Sequence, residues 1–228
     1  MDWIRFSRGH RLDPIAGGSP DAIAVLLHDL DQSPATLLAV GARWAATVPT
    51  TAFVAVDGLE QFDPPTGARS WHALFDLDPG AAPLALDRIA RHLEPLLAQL
   101  DASRLVLVGF REGGTVALHL VLRHGWRCAG VLAFSPRLTR PLPRIIRADA
   151  KIRLIETAEG RHVGHAELRD AVSSLAARGV DARGVLLPGS TLSDQAIRHG
   201  GAYLVELIAT AQRADRFHTL EQESSDAS

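Results

Sequence analysis

The sequence predicts an α/β protein with a mostly parallel central sheet and helices on both faces. Short apolar runs of strand length alternate with longer segments of helical period, and Gly-, Pro- or Ser-containing turns separate them. The chain of 228 residues, 46% hydrophobic and 22% charged, is also large enough to bury one sizeable core. Residues 1–211 are expected to form a single domain. Residues 212–228 are polar, carry Glu221, Glu223 and Asp226, and are expected to be a flexible tail.

The elements follow in order. Ala22–His28 is an apolar run ending in polar residues, as a buried strand should. Ser33-Pro34 then supplies an N-cap and a first-turn proline for a helix over Ala35–Ala46, with Leu37, Leu38, Val40 and Trp44 on one face. Thr51–Val56 is the next strand. Between Asp57 and Pro83 lie Pro64-Pro65, Gly67, Pro79-Gly80 and Pro83, which predict a long connection without a long element. Leu84–Leu100 has helical period, and Pro95 should kink or divide it. Strand Arg104–Val108, helix Glu112–Arg123 and strand Cys128–Phe134 follow. Ser135–Ala150 has no clear period. Strand Lys151–Glu156, helix His165–Ala177, strand Ala182–Leu187 and helix Asp194–Ala209 complete the alternation.

Composition removes several function classes. A formal net charge of −2 provides no global basic field, so nucleic acid is not expected as a partner. No apolar run is long enough to span a bilayer, and the N-terminus alternates apolar and polar residues, unlike a signal peptide. The single cysteine, Cys128, reads as a small buried hydrophobe. These features lead to an expected cytoplasmic location. No cofactor motif is present. His162 and His165 stand three apart beside Glu159, but without a third ligand or an H-E-x-x-H pattern no metal is expected there.

The run Leu105–Leu118 contains Gly109-Phe110-Arg111-Glu112-Gly113 between a strand and a helix. It resembles the nucleophile elbow of α/β-hydrolases, G-x-S-x-G, where small residues flank the nucleophile because strand and helix nearly touch. Three further segments resemble the carboxylesterase/phospholipase family, which includes acyl-protein thioesterases, and they fall in the family's order. Val25-Leu-Leu-His28-Asp29-Leu30 resembles the strand ending in His-Gly, after which a backbone N–H helps form the oxyanion hole. Gly130–Ser135 resembles the strand after the elbow helix, and Leu186-Leu-Pro188-Gly189 the run before the catalytic histidine. The resemblance implies an α/β-hydrolase fold, oxyanion-hole N–H groups on Leu30 and Glu112, and compatibility with a homodimer.

The same resemblance places residues unfit for triad chemistry at all three catalytic positions. The nucleophile position holds Arg111, whose protonated guanidinium cannot form an acyl intermediate. In Glu156–Val163, matched to His-Gly-x-x-Asp-x-x-Val, the acid position holds Gly160, with Glu159 one residue away. After Pro188-Gly189-Ser190-Thr191 the histidine position holds Leu192, which can neither accept nor donate a proton. Asp29 and Asp31 add carboxylates where negative charge would have to develop.

Arg111, at a helix N-terminus, suits anion binding; alternatively it pairs with Asp29, Asp31 or Glu159 and plugs the site, the reading favoured here. Arg137, Arg140, Arg144, Arg147, Lys151 and Arg153 form one basic concentration, read as a solvated loop more readily than a ligand patch. A displaced triad would draw on Ser135, Ser190, Thr191 or Ser193 with His28, His162, His165 or His199, none of the former on an elbow turn. Trp71 reads as core. The expectation is a catalytically inactive hydrolase scaffold that binds a small acidic ligand or a partner protein. The alternatives are an active carboxylic-ester or thioester hydrolase using non-standard residues, and a structural subunit.

Overall fold

A seven-stranded sheet organises the protein in the computed structural model, which describes residues 10–30, 32–63, 68–71, 82–98, 100–137, 149–160 and 165–209. The strands are β1 (His10–Leu12), β2 (Ala22–Leu27), β3 (Thr51–Val56), β6 (Leu105–Phe110), β7 (Gly130–Phe134), β8 (Lys151–Thr157) and β9 (Asp181–Leu187). Their spatial order is β1-β3-β2-β6-β7-β8-β9, with β1 antiparallel to β3 and the remaining neighbours parallel. Between β3 and β6, β4 (Glu60–Asp63) and β5 (Ala68–Ser70) form a separate antiparallel pair.

The helices are α1 (Pro34–Ala45), α2 (Ala82–Leu97), α3 (Glu112–Leu122), α4 (His165–Ala176) and α5 (194–209). Side chains of a strand alternate between faces, and here both faces are covered, so β2, β3, β6 and β7 are buried along their whole length. On one face Val25, Leu27, Val54, Leu107, Val131 and Ile152 pack with Ile89 and Leu93 of α2, Val121 of α3 and Leu175 of α4. On the other, Leu26, Phe53, Val106, Val108, Leu132 and Phe134 pack with Leu37 and Trp44 of α1 and Leu204 and Leu207 of α5. The expected mostly parallel sheet with helices on both faces is the architecture observed. Among the described residues, no helix is long and apolar enough to cross a membrane.

Three expectations need correction. Pro95 does not divide α2, which runs unbroken from Ala82 to Leu97: the proline forgoes the single N–H bond to the Arg91 carbonyl, and the helix ends two residues later. The connection after Asp57 carries no long element, as expected: among the described residues it holds the short, mostly polar β4–β5 pair before α2. Strand β7 begins at Gly130 and leaves Cys128 outside it, half-buried against the core. Arg153 is no part of a solvated basic patch. It lies on β8 with its side chain fully buried, its guanidinium 3.2 Å from Asp181 Oδ1 on the edge strand β9 and 2.6 Å from Glu206 Oε1 on α5. A cation is tolerated there because two carboxylates reach it. Of the remaining cluster, Arg137 is exposed and Lys151 half-buried, while Arg140, Arg144 and Arg147 lie outside the described residues. The expected tail over 212–228 also lies outside them.

Candidate functional site

The carboxyl ends of β2, β6, β7 and β8 meet at one edge of the sheet, the usual location of a site in parallel α/β folds. At the centre, β6 ends at Phe110 and α3 starts at Glu112, leaving Arg111 alone at the turn with φ 48° and ψ −104°. A side-chain-bearing residue rarely adopts such backbone angles. They are held by close contacts on both sides. A Cβ on Gly109 would lie 2.3 Å from the Gly113 carbonyl oxygen, and one on Gly113 would lie 2.1 Å from the Leu27 carbonyl oxygen. The Arg111 N–H donates to the Phe134 carbonyl at 2.7 Å, and the Phe110 and Phe134 rings stack with centroids 4.4 Å apart. The spacing of the two glycines thus reflects backbone touching backbone.

From this turn the Arg111 side chain reaches Asp29, with Nε 3.2 Å from Oδ2. The other carboxylate oxygen turns inward: Asp29 Oδ1 accepts the Leu30 N–H at 2.8 Å and the Glu112 N–H at 3.4 Å. These are the two backbone donors expected to form an oxyanion hole. Asp29 is 11% exposed at its side chain and Arg111 38% exposed, so the carboxylate sits inside and the guanidinium at the rim. Asp31 lies outside the described residues.

The loop carrying Asp29 is fixed from behind. His28 Nε2 accepts the Gly58 N–H at 2.9 Å, which leaves Nδ1 to donate to the Asp29 carbonyl at 2.6 Å. This is a neutral imidazole, and burial, the largest influence on it, holds its pKa below the ordinary value. Trp71 is fully buried, as expected, and it also donates from Nε1 to the His28 carbonyl at 2.8 Å. His28 and Trp71 therefore position Asp29.

Across the site stands a buried polar group, of which sequence reading reached only parts. Glu156, at the end of β8 and 1% exposed, accepts the Thr157 N–H at 3.1 Å and interacts with the Ser135 hydroxyl. Burial raises its pKa, opposed by these hydrogen bonds and by the Arg111 charge. The Ser135 Oγ lies 3.2 Å from Thr157 Oγ1 and 3.4 Å from Thr191 Oγ1, and Ser135 has a positive φ of 45°. A carboxylate closing an apolar strand beside a sheet edge was the available signal for Glu156.

The remaining expected positions lie in the loops after β8 and β9 and on α5. Glu159, in the turn Ala158–Gly160, is exposed, and its N–H donates to the Gly189 carbonyl at 3.1 Å. That bond joins the loop after β8 to the loop after β9. Leu192 is half-buried against the core face that includes α5. Ser193 Oγ accepts the Ala196 N–H at 3.3 Å, the role of a helix N-cap, and His199 is exposed on α5. His162 lies outside the described residues, and Ser190 is exposed.

The sequence pattern of the phospholipase/carboxylesterase family matches residues 16–151, more than half of the chain. The chain belongs to this family. The matched range takes in β2, the turn at Arg111 and β7, and it ends where β8 begins. Among solved structures, an esterase named PE8 is 26% identical with a TM-score of 0.74, covering 87% of this chain and 98% of its own. The Bacillus cereus carboxylesterase is 12% identical, TM-score 0.63, covering 88% and 94%. Arabidopsis thaliana SOBER1 is 15% identical, TM-score 0.62, covering 82% and 99%. The last two show the shared fold. Among proteins with curated descriptions, none matches in sequence.

Proposed function

We propose that this family member does not hydrolyse esters and that its former active site is a self-occupied binding site. One observation carries the reading: the Asp29 carboxylate accepts from both backbone N–H groups that would stabilise an oxyanion, while its second oxygen pairs with Arg111. A tetrahedral intermediate needs those donors free and a nucleophile at the turn. Here an internal anion takes the first role, and a guanidinium stands in place of the second. In this reading Gly160 or Glu159 occupies the acid position and Leu192 the histidine position. What the site offers is a rim cation whose partner is an internal carboxylate. An acidic ligand, or an acidic residue of a partner protein, engages Arg111 by competing with Asp29 for it.

Among the described residues, the displaced-triad alternative finds no base beside Ser135. The described partners of Ser135 Oγ are Thr157, Thr191 and Glu156, and no imidazole joins them. Its side chain is fully buried as well.

Hydrolysis of short p-nitrophenyl esters by purified protein tests the proposal. Wild type should not exceed the background rate. Arg111→Ser alone should stay inactive because Asp29 still fills the oxyanion donors, whereas Arg111→Ser with Asp29→Gly and Leu192→His should gain a measurable rate. Saturable wild-type turnover that survives Arg111→Ala would overturn the reading.

A further inference from the structure

On the flank of the molecule, away from the sheet edge, Asp87 of α2 faces two imidazoles from α3 and the turn beyond it. His119 Nε2 and His124 Nε2 each lie 3.1 Å from the same Asp87 oxygen, Oδ1, and the three potential ligand atoms all fall within 4.8 Å of one another. We propose that Asp87, His119 and His124 form a binding site for one divalent transition cation of the zinc type, joining α2 to the C-terminal end of α3.

The local backbone explains the convergence. Helix α3 ends at Leu122, and both the Arg123 and the His124 N–H donate to the His119 carbonyl, at 3.0 and 3.3 Å. Gly125 then takes φ 68°, and the Trp126 N–H closes back on the Leu120 carbonyl at 3.1 Å. A left-handed glycine past a helix end is how a chain turns back over its last turn. Here the turn sets His124 beside His119, their ring centroids 5.2 Å apart.

The donor set suits zinc-like ions: two imidazole nitrogens and one carboxylate oxygen leave a fourth position for water. Metal–ligand bonds of about 2.0–2.1 Å at tetrahedral angles separate neighbouring ligand atoms by about 3.3 Å. The two carboxylate–imidazole spacings of 3.1 Å are close to this value, and the two imidazole nitrogens, within 4.8 Å of each other, must come to about the same separation when the ion binds. Arg123 Nη2 holds the other carboxylate oxygen, Oδ2, at 3.1 Å, which fixes the carboxylate with Oδ1 toward the imidazoles, as outer partners of metal ligands do. The guanidinium's charge at the same time limits affinity. Imidazole binds such an ion in its neutral form through one ring nitrogen. Coordination through Nε2 moves its proton to Nδ1, a change of tautomer with no change of charge. His124 is exposed, which gives an ion a route in.

Tag-free protein stripped with a chelator is titrated with Zn2+ by calorimetry and with Co2+ by visible absorption. One equivalent should bind, Co2+ should show ligand-field bands, and saturating Zn2+ should raise the thermal midpoint. His124→Ala, an exposed change checked for an intact fold by circular dichroism, should weaken binding at least about tenfold and reduce the thermal shift at equal Zn2+. Asp87→Asn should act in the same direction. No stoichiometric uptake by wild type would overturn the proposal, as would binding by His124→Ala as tight as wild type.

Discussion

Replacing Asp29 by alanine removes the internal anion and leaves the pocket that holds it. The size of the effect follows from three contacts. The Leu30 N–H at 2.8 Å is a good hydrogen bond to a charged, mostly buried acceptor, worth about 1.5–3 kcal/mol. The Glu112 N–H at 3.4 Å is long and adds little. The pair with Arg111 is discounted to about 0–1 kcal/mol because the guanidinium is 38% exposed. With water taking back part of the total in the vacated space, a loss of about 2 kcal/mol is expected in urea denaturation. The same variant should then accept an outside anion. Formate at a hundred times its dissociation constant should restore about 2.7 kcal/mol to Asp29→Ala, against chloride at equal ionic strength. Wild type, already occupied, should respond much less. If Asp29→Ala is as stable as wild type, or both proteins respond equally to formate, the carboxylate is not filling the anion pocket and the proposed function loses its support.

Other perturbations probe the frame around this site. Gly113→Ala would place a Cβ 2.1 Å from the Leu27 carbonyl and 2.6 Å from that of His28, both backbone; thermal or urea denaturation should show a loss of roughly 1–3 kcal/mol or more. Glu156 binds its proton more tightly folded than unfolded. Its contribution is thus fully present below the ordinary carboxyl value of 4.5 and is lost as pH rises through the raised folded value. The stability of Glu156→Gln relative to wild type should therefore increase with pH over that window, and a flat difference would contradict it. Asp181 and Glu206 have pKa values lowered chiefly by hydrogen bonds from Arg153, so their stabilisation is lost as pH falls through the lowered folded values. Arg153→Met should flatten that acid limb. Because the two side chains are 44% and 33% exposed, its cost at neutral pH should stay below the roughly 3–5 kcal/mol of an ion pair broken in full burial.

The central strands were legible because both faces of the sheet are covered, which turns β2, β3, β6 and β7 into uninterrupted apolar runs. Where burial is partial the pattern weakens. Neither β1 nor the β4–β5 pair shows in the sequence, for each is three or four residues long and mainly polar. Arg153 misled because a charge is read locally as solvated, while the partners that permit its burial come from β9 and α5. The elbow was legible from Gly109 and Gly113, whose spacing answers a local backbone approach. The direction of the Asp29 side chain was not: its neighbour Leu30 and the distant Glu112 supply the donors together only after β2 and β6 pair. Asp87, His119 and His124 escaped for the same reason. The imidazoles are five residues apart, off the usual helical ligand spacing, and the carboxylate comes from another helix.

The contorted peptide at position 111 has an engineering consequence. It is imposed by the neighbouring glycines and the Phe134 carbonyl, not by the arginine side chain, so another amino acid installed there would inherit the same cramped presentation. On the proposed reading, giving this scaffold ester hydrolysis would therefore demand little remodelling of the main chain at the bend. The harder obstacle is the acidic neighbour on the adjoining loop, which must be evicted before any incoming carbonyl could find its hydrogen-bonding cradle vacant.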